Sequence, residues 1–576
     1  MKRLWIYLRD YRLEGVLGPL FKLLEASFEL FVPLVIAAII DRGIGTGDAG
    51  MIVRWTLLLV ALGLVGLICS VTAQYFAAKA SVGFVKKVRH ALFAHIQTLS
   101  DAELDQIGSS TLITRMTSDC NQVQSGLNLT LRLLLRSPFV VFGAMIMAFT
   151  IDVPSALIFA VAIPVLSVVV FGIMLLCMPL YKKVQQRLDG VLGITRENLT
   201  GVRVIRAFCK EEEEIASFEQ RNQALTASSL LVGRISALMN PLTYVIINLA
   251  IVALIHTGAL RVDSGILTQG QVIALYNYMS QILVELIKLA NLIISITKAL
   301  ACANRISAVF DVHSSLDWKD VSAASKVGAP AVAFDHVSLR YPGAGANSLT
   351  DIDFSVMPGQ TVGVIGGTGS GKSSLVNLIG RFYEVSEGSV RVDGIDVRDM
   401  RRDDLIGEIG IVPQKAVLFK GSIRENLLWG KKDATDDELD AALRVAQARE
   451  IVDGKEGGLE HLIEQNGRNL SGGQRQRLTI ARALVRQPKI LILDDSASAL
   501  DFATDAALRK SIRELDPQPT VFIVSQRTSS IQYADLILVL DDGRLVGKGT
   551  HDELLESCEV YREIYDSQFK KEEKQA

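Results

Sequence analysis

The sequence predicts a multi-domain membrane protein, with an all-α half of six transmembrane helices followed by a soluble α/β half built around a phosphate-binding glycine loop. Three observations carry this reading. Six apolar stretches long enough to cross a bilayer all lie before about residue 300. From "AVAFDHVSLRY" at Ala331 onward, strand-like alternation is interleaved with helical patterns, as in an α/β domain. Between the apolar "TVGVI" and the helical "SSLVNLI" stands "GGTGSGKSS", Gly366 to Ser374, the order of strand, glycine loop and helix that phosphate binding requires.

At 576 residues the chain is too long for one core. Its 49% hydrophobic content is concentrated in the first half, and the remainder has the composition of a soluble domain. A net charge of -2 gives no sign of a nucleic-acid-binding surface, so no nucleic-acid partner is expected. Six cysteines, at 69, 120, 177, 209, 302 and 558, have no CxxC spacing and read as small core or lipid-facing residues. The N-terminus lacks the short apolar core and cleavage site of a removable signal peptide. Instead "MKRLWIYLRDYR" is basic, aromatic and amphipathic, suited either to the inner membrane surface or to an ordinary solvated helix.

The expected spans begin with Val16–Ile40, which carries Lys22, Glu25 and Glu29, and continue with the uncharged Trp55–Ala78. Ser137–Tyr181 is too long for one crossing and is broken by "DVP" at Asp152–Pro154, so it reads as a hairpin of two spans. Ile235–Leu260 and Val272–Ile296 complete the set. Lys2, Arg3, Arg9 and Arg12 precede the first span and Lys79, Lys86, Lys87 and Arg89 follow the second, whereas the loops near Gly43–Gly50 and Arg261–Gly270 are poor in Lys and Arg. By the positive-inside rule the N-terminus and the soluble half are expected in the cytoplasm, below a plasma membrane.

Two long polar stretches, Lys79–Arg136 and Lys182–Arg234, are helical in composition and belong to the cytoplasmic side. Between Asp311 and Pro330 the chain turns small and polar, which gives expected domains of 1–310 and 331–576 with a linker over 311–330. The intramembrane charges need an explanation. Glu25 and Glu29 lie one turn apart on one helical face, and Glu285 and Lys288 are near neighbours. Local ion pairing and substrate contact explain them equally well, because a bare charge at mid-bilayer costs about 2.5–3.5 kcal/mol on insertion scales.

In the glycine loop, Gly366, Gly367, Thr368, Gly369, Ser370, Gly371, Lys372, Ser373 and Ser374 are the expected phosphate-binding residues. Glycines let backbone N–H groups converge on a phosphate, the helix N-terminus adds positive potential, Lys372 reaches the phosphate oxygens, and Ser373 offers a hydroxyl to Mg²⁺. Downstream, "ILILDD" is a buried apolar strand ending in acids, which puts Asp494 beside the metal.

The stretch "LSGGQRQRLTIARALVRQPKILILDDSASALD", Leu470 to Asp501, resembles the ATP-binding cassette (ABC) transporters, and the resemblance runs over nearly the whole chain. It implies an exporter-type half transporter, with ATP and Mg²⁺ as cofactors, a second half transporter and the lipid bilayer as partners, and a small molecule as substrate. By that resemblance Tyr341 in "LRYPG" stacks on adenine, although an aromatic at a strand end also fits a core. Gln414 in "IVPQ" touches Mg²⁺ and the attacking water. Ser471, Gly472, Gly473, Gln474 and Asp501 serve the ATP of the partner. The segment "TGVRVIRAFCKEEEE" resembles a cytoplasmic coupling helix, while physically it is an amphipathic helix running into a solvated acidic stretch.

Two positions depart from the family pattern. Asp495 stands where the family places a glutamate as catalytic base, and Gln526 in "VFIVSQRTSSI" where it usually has the switch histidine. Aspartate is one methylene shorter, and glutamine hydrogen-bonds without shuttling a proton. "EQNGRN" also replaces an acidic "GERG"-like segment before the signature. Together these resemble the degenerate-site subunit of heterodimeric bacterial multidrug exporters, a resemblance that includes the C-terminal "YREIYDSQF". The implied function is ATP-driven export of hydrophobic or amphipathic compounds, with hydrolysis at the partner's site. A homodimeric lipid or drug flippase, and an ATP-gated channel or regulatory subunit that does not pump, are the alternatives.

Overall fold

The computed structural model describes residues 3–321, 328–496 and 498–569. Lys2 and residues 322–327 of the expected linker therefore lie outside the described residues. The chain divides into two compact units, one of Met1–Gln97 with Ser110–Asp311 and one of Thr98–Ser109 with Val312–Ala576.

The first unit is helical. Its helices are α1 (Arg12–Ala38) and α2 (Ala49–Ile96), then, after the short α3 (Asp101–Ile107), α4 (Ser109–Thr114), α5 (Cys120–Leu133), α6 (Arg136–Ile151) and α7 (Val153–Thr200). The set closes with α8 (Val202–Ala207), α9 (Glu211–Ala237), α10 (Met239–Asp263) and α11 (Gln269–Phe310). Six helical stretches are long and apolar enough to cross a membrane: Leu4–Ile44, Ala49–Ile96, Ser109–Ile151, Val153–Thr200, Glu211–Asp263 and Gln269–Phe310. Helices of 48 residues such as α2 and α7 are about 72 Å long at 1.5 Å per residue. That far exceeds a hydrocarbon core of about 30 Å, so they continue well beyond it.

The hairpin break falls where "DVP" placed it. Asp152 is extended at φ -160° and caps α7 by accepting Ser155 N at 3.1 Å, with proline in the first turn. Its other oxygen pairs with Arg261 at 2.6 Å, tying this turn to the end of α10. A second tie joins the first and last spans, where Asp41 accepts from Thr268 Oγ1 at 2.5 Å and Gly270 N at 2.8 Å. Five of the six cysteines are buried and Cys209 is exposed.

The second unit is α/β. Its strands are β1 (Val332–Leu339), β2 (Leu349–Val356), β3 (Thr361–Gly366), β4 (Glu387–Val392), β5 (Ile395–Asp396) and β6 (Ile409–Val412). They continue with β7 (Gly421–Ser422), β8 (Leu462–Ile463), β9 (Ile490–Asp494), β10 (Thr520–Val524), β11 (Leu536–Asp541) and β12 (Arg544–Gly549). One sheet has the order β12-β11-β3-β10-β9-β6, all parallel except the β12 edge. A smaller antiparallel sheet has the order β2-β1-β4-β5. Alternation divides the large sheet between two cores: Val362, Val364, Ile490, Ile492 and Phe522 enter one, and Ile365, Leu491, Leu493, Val521 and Ile523 the other. With both faces buried, these strands read as continuous apolar runs.

The segment Thr98–Ser109, which belongs in sequence to the helical half, packs within this unit. Asp105 on α3 accepts from Tyr383 Oη at 2.7 Å, and Glu103 accepts from Ser315 N at 3.2 Å and Ser100 N at 3.0 Å. Part of the expected linker is pinned as well. Trp318 packs on a core of this unit with the Arg381 guanidinium 4.7 Å from its ring centroid.

Candidate functional site

Four of the six strands in the large sheet deliver site residues from their carboxyl ends, where open parallel sheets bind ligands. β3 ends in the glycine loop, β9 ends in Asp494 and Asp495 follows, β10 leads to Gln526, and β6 leads to Gln414. Because β3, β10, β9 and β6 are consecutive neighbours, residues from 366 to 526 converge on one rim.

The loop enters α12 (Lys372–Ile379) through Gly371 at φ 94°. Gly366 admits no side chain, since a Cβ there would lie 2.1 Å from the Leu540 carbonyl oxygen. Lys372 Nζ donates to Gly366 O at 3.0 Å and Gly367 O at 2.6 Å, curling back over the loop. Burial holds its ammonium below the usual lysine range, against the opposite pull of Asp495 and Asp494. Ser373 Oγ donates to Asp494 Oδ1 at 3.1 Å, so two of the three expected metal ligands meet. Burial also pushes the Asp494 carboxyl above the ordinary range; the Ser373 hydrogen bond opposes this and the Asp495 charge adds to it.

Asp495 adopts the left-handed region at φ 45°, and its N–H donates to Val524 O at 3.0 Å across to the next strand. That turn aims its carboxylate at Gln414, whose Nε2 donates to Asp495 Oδ2 at 3.3 Å. Tyr341 donates its hydroxyl to Ser374 Oγ at 2.9 Å and makes an edge contact with Tyr383 at 4.9 Å while packing on the core.

The signature residues form a separate structure. Ser471 is the N-cap of the helix Gly472–Leu484, and a capping box joins Ser471 and Gln474 through N–H contacts of 3.1 and 3.3 Å. The S-x-x-Q spacing inside "LSGGQ" already encodes this cap. A Cβ on Gly472 would meet nothing within 4 Å, which leaves the helix N-terminus open to a ligand. Asp501 likewise caps the helix Phe502–Arg513, accepting Thr504 N at 2.8 Å and Oγ1 at 2.9 Å. Among the described residues no hydrogen bond links Ser471–Gln474 or Asp501 to the Gly366–Ser374 loop.

Gln526 is exposed, and its backbone is held by a residue that sequence reasoning did not single out. Gln568, on the C-terminal helix Glu559–Phe569, donates to Gln526 O at 2.8 Å and accepts from Thr528 N and Oγ1, each at 3.0 Å. The two ends of this clamp are 42 residues apart in sequence, and no spacing rule connects them. Arg136 was missed in the other unit for the same reason. In the sequence it is the last residue of a polar stretch, and in the structure it pairs with both Glu285 and Glu29.

A helical membrane unit of six apolar stretches joined to an α/β unit with a glycine-loop phosphate site defines a membrane-bound nucleotide-binding protein. The family description "ABC transporter transmembrane region" matches residues 16–286 and "ABC transporter" matches residues 349–498. The chain is 39% identical to an uncharacterized ABC transporter ATP-binding protein of Mycobacterium tuberculosis over 98% of its own length and 97% of that protein. It is 35% identical to the uncharacterized ABC transporter ATP-binding protein YfiB of Bacillus subtilis over 99% of both. An ATP-dependent lipid A-core flippase of Vibrio vulnificus is 28% identical over 99% of this chain and 97% of its own. In fold the chain matches a bacterial Atm1-family ABC exporter with ATP bound, with a TM-score of 0.79, 24% identity and 98% of both chains covered. The chain belongs to the ABC transporter family: it is a multi-pass membrane protein with an ATPase coupled to transport, and its fold is that of an ABC exporter.

Proposed function

We propose that this chain is one half of an exporter of hydrophobic or amphipathic compounds in a bacterial plasma membrane, paired with a different but related half transporter. Its own ATP site is slow, and its signature completes the working site of the partner. Residues 1–310 form the transmembrane domain, 311–330 the linker and 331–576 the nucleotide-binding domain, which lies with the N-terminus in the cytoplasm. The observation that carries the reading is Asp495, a carboxylate one methylene short of the family's base and tethered to Gln414 at 3.3 Å.

The site fits Mg²⁺ and ATP. A side chain at Gly366 would fill the cradle, Lys372 reaches over the loop, and Ser373 and Asp494 present adjacent oxygens. When bound, the nucleotide supplies a phosphoanhydride whose hydrolysis needs an activated water. Lys372 and the loop N–H groups hold phosphate, Ser373, Asp494 and Gln414 hold the metal, and Tyr341 flanks the base. Asp495 reaches less far towards water than glutamate, and Gln526 holds an oxygen without moving its proton. Ser471, Gly472, Gly473, Gln474 and Asp501 face the partner's nucleotide, where open helix N–H groups stabilise developing negative charge.

A homodimeric flippase is the second reading, favoured by the full-length similarity to the lipid A-core flippase. Purification of the tagged chain from its native membrane separates the two. A stoichiometric second ABC half transporter supports the heterodimer, and recovery of this chain alone supports the flippase.

A further inference from the structure

Two helical faces in the first unit line an open cavity of about 360 Å³ with mixed polar and apolar walls. α1 contributes Glu29, Val32, Pro33 and Ile36, and α11 contributes Asn277, Ser280, Gln281, Val284, Glu285 and Lys288. Both sets follow the i, i+3, i+4, i+7 spacing of one helix face. Pro33 has no N–H, so the carbonyl of Glu29, four residues earlier, lacks its helical donor and α1 is weakened at the cavity wall. Glu285 lies 16 residues from the start of α11, about 24 Å along the helix, which is within a hydrocarbon core of roughly 30 Å.

The charges here form one neutral chain. Glu29 pairs with Arg136 at 2.6 Å, Arg136 with Glu285 at 2.5 Å, and Glu285 with Lys288 at 2.9 Å. The middle members, Arg136 and Glu285, are buried at 7% and 4% side-chain exposure, and Glu285 is completed by Ser137 Oγ at 2.8 Å. The end members remain open, Glu29 at 40% and Lys288 at 44%. Gln281 Oε1, a buried atom on a residue of the cavity wall, has no partner among the described residues. The cavity thus presents one carboxylate, one ammonium and an unused amide oxygen beside apolar walls.

We infer that this cavity takes an amphiphile with a zwitterionic head, its cationic end against Glu29 and Gln281, its anionic end against Lys288, and its apolar part along Val32, Ile36 and Val284 and along Val140, which α6 adds to the lining. A head of single charge satisfies one end of the chain and leaves the other facing it with like charge, at a cost in a site of low dielectric. The inference rests on the reading of the chain as an exporter half and names its substrate class.

The test uses the assembled transporter in inside-out phosphatidylglycerol vesicles and three fluorescent probes that share one tail, with phosphocholine, trimethylammonium or phosphate heads. ATP-dependent uptake by the wild type should favour the phosphocholine probe by about tenfold, the size of one hydrogen bond to a charged group. Lys288→Gln should shift preference towards the trimethylammonium probe, and Glu29→Gln towards the phosphate probe. Lys288 is half-exposed and Glu285 keeps Arg136 and Ser137 without it, so this variant retains its fold. Wild-type preference for a singly charged probe, or ATP turnover without uptake of any probe, overturns the inference while leaving an ATPase. Equal loss for all three probes in both variants also overturns it. Absence of both turnover and uptake overturns the exporter reading and this inference with it.

Discussion

Arg136 donates to Glu285 at 2.5 Å although 149 residues separate them in sequence. With its second nitrogen on Glu29, it joins the first, third and sixth apolar stretches through one guanidinium. Glu25 takes no part, since it pairs with Lys22 at 2.5 Å one turn earlier. The two glutamates expected on one face therefore serve separate pairs.

Arg136→Met should destabilise the protein by about 3–5 kcal/mol, because it leaves Glu285 charged and buried with only Lys288 and Ser137. Adding Glu29→Gln and Glu285→Gln removes the stranded charges and should recover most of the loss. Thermal unfolding of the detergent-purified protein checks the order; a triple variant as unstable as the single one would show that the guanidinium acts through packing alone.

Ser471→Arg should abolish ATP turnover by the assembled pair, whereas Asp495→Asn should reduce it much less. The substitution at Ser471 destroys an N-cap and its open amides, and losing preorganised donors costs about 10²–10³ in rate. Steady-state ATPase decides: an Asp495→Asn loss equal to that of the corresponding Glu→Gln change in the partner means that this chain's site hydrolyses normally.

Gln568→Ala removes three hydrogen bonds from the Gln526–Thr528 segment, each worth about 1 kcal/mol. Faster hydrogen exchange at the Thr528 amide is expected, with nucleotide affinity at the glycine loop unchanged. Turnover should fall in a homodimer, where every site must work, and change little in a heterodimer whose partner hydrolyses. Unchanged exchange at Thr528 would show that the C-terminal helix does not hold the switch segment.

Glu103 gives a pH dependence of known sign. Burial pushes its carboxyl up, but hydrogen bonds from Ser100 and Ser315 outweigh this and hold it below its ordinary value of 4.5. A depressed carboxyl contributes stability that is fully present above its unfolded value and lost as pH falls through the lower folded one. Protection of the Ser315 amide should therefore persist at pH 5 and collapse only in stronger acid. In Glu103→Gln that acid step should be missing; if it remains, another group controls it.

The sequence by itself determined the features that are local. The number of spans, the Asp152–Pro154 break, the glycine loop and the acids ending β9 each follow from periodicity or from residues within a few positions of one another, where helix, strand and turn rules apply. The departures at Asp495 and Gln526 from the family pattern were legible too, because they are read along the chain; their effect on hydrolysis belongs to the proposal. Tertiary structure decided the contacts that no spacing encodes: Arg136 with Glu285 and Glu29, Gln568 with Gln526 and Thr528, and α3 with Tyr383. Desolvation is the physical reason. A buried charge or backbone polar group must find a partner, and the order in which strands and helices pack sets which partner is in reach.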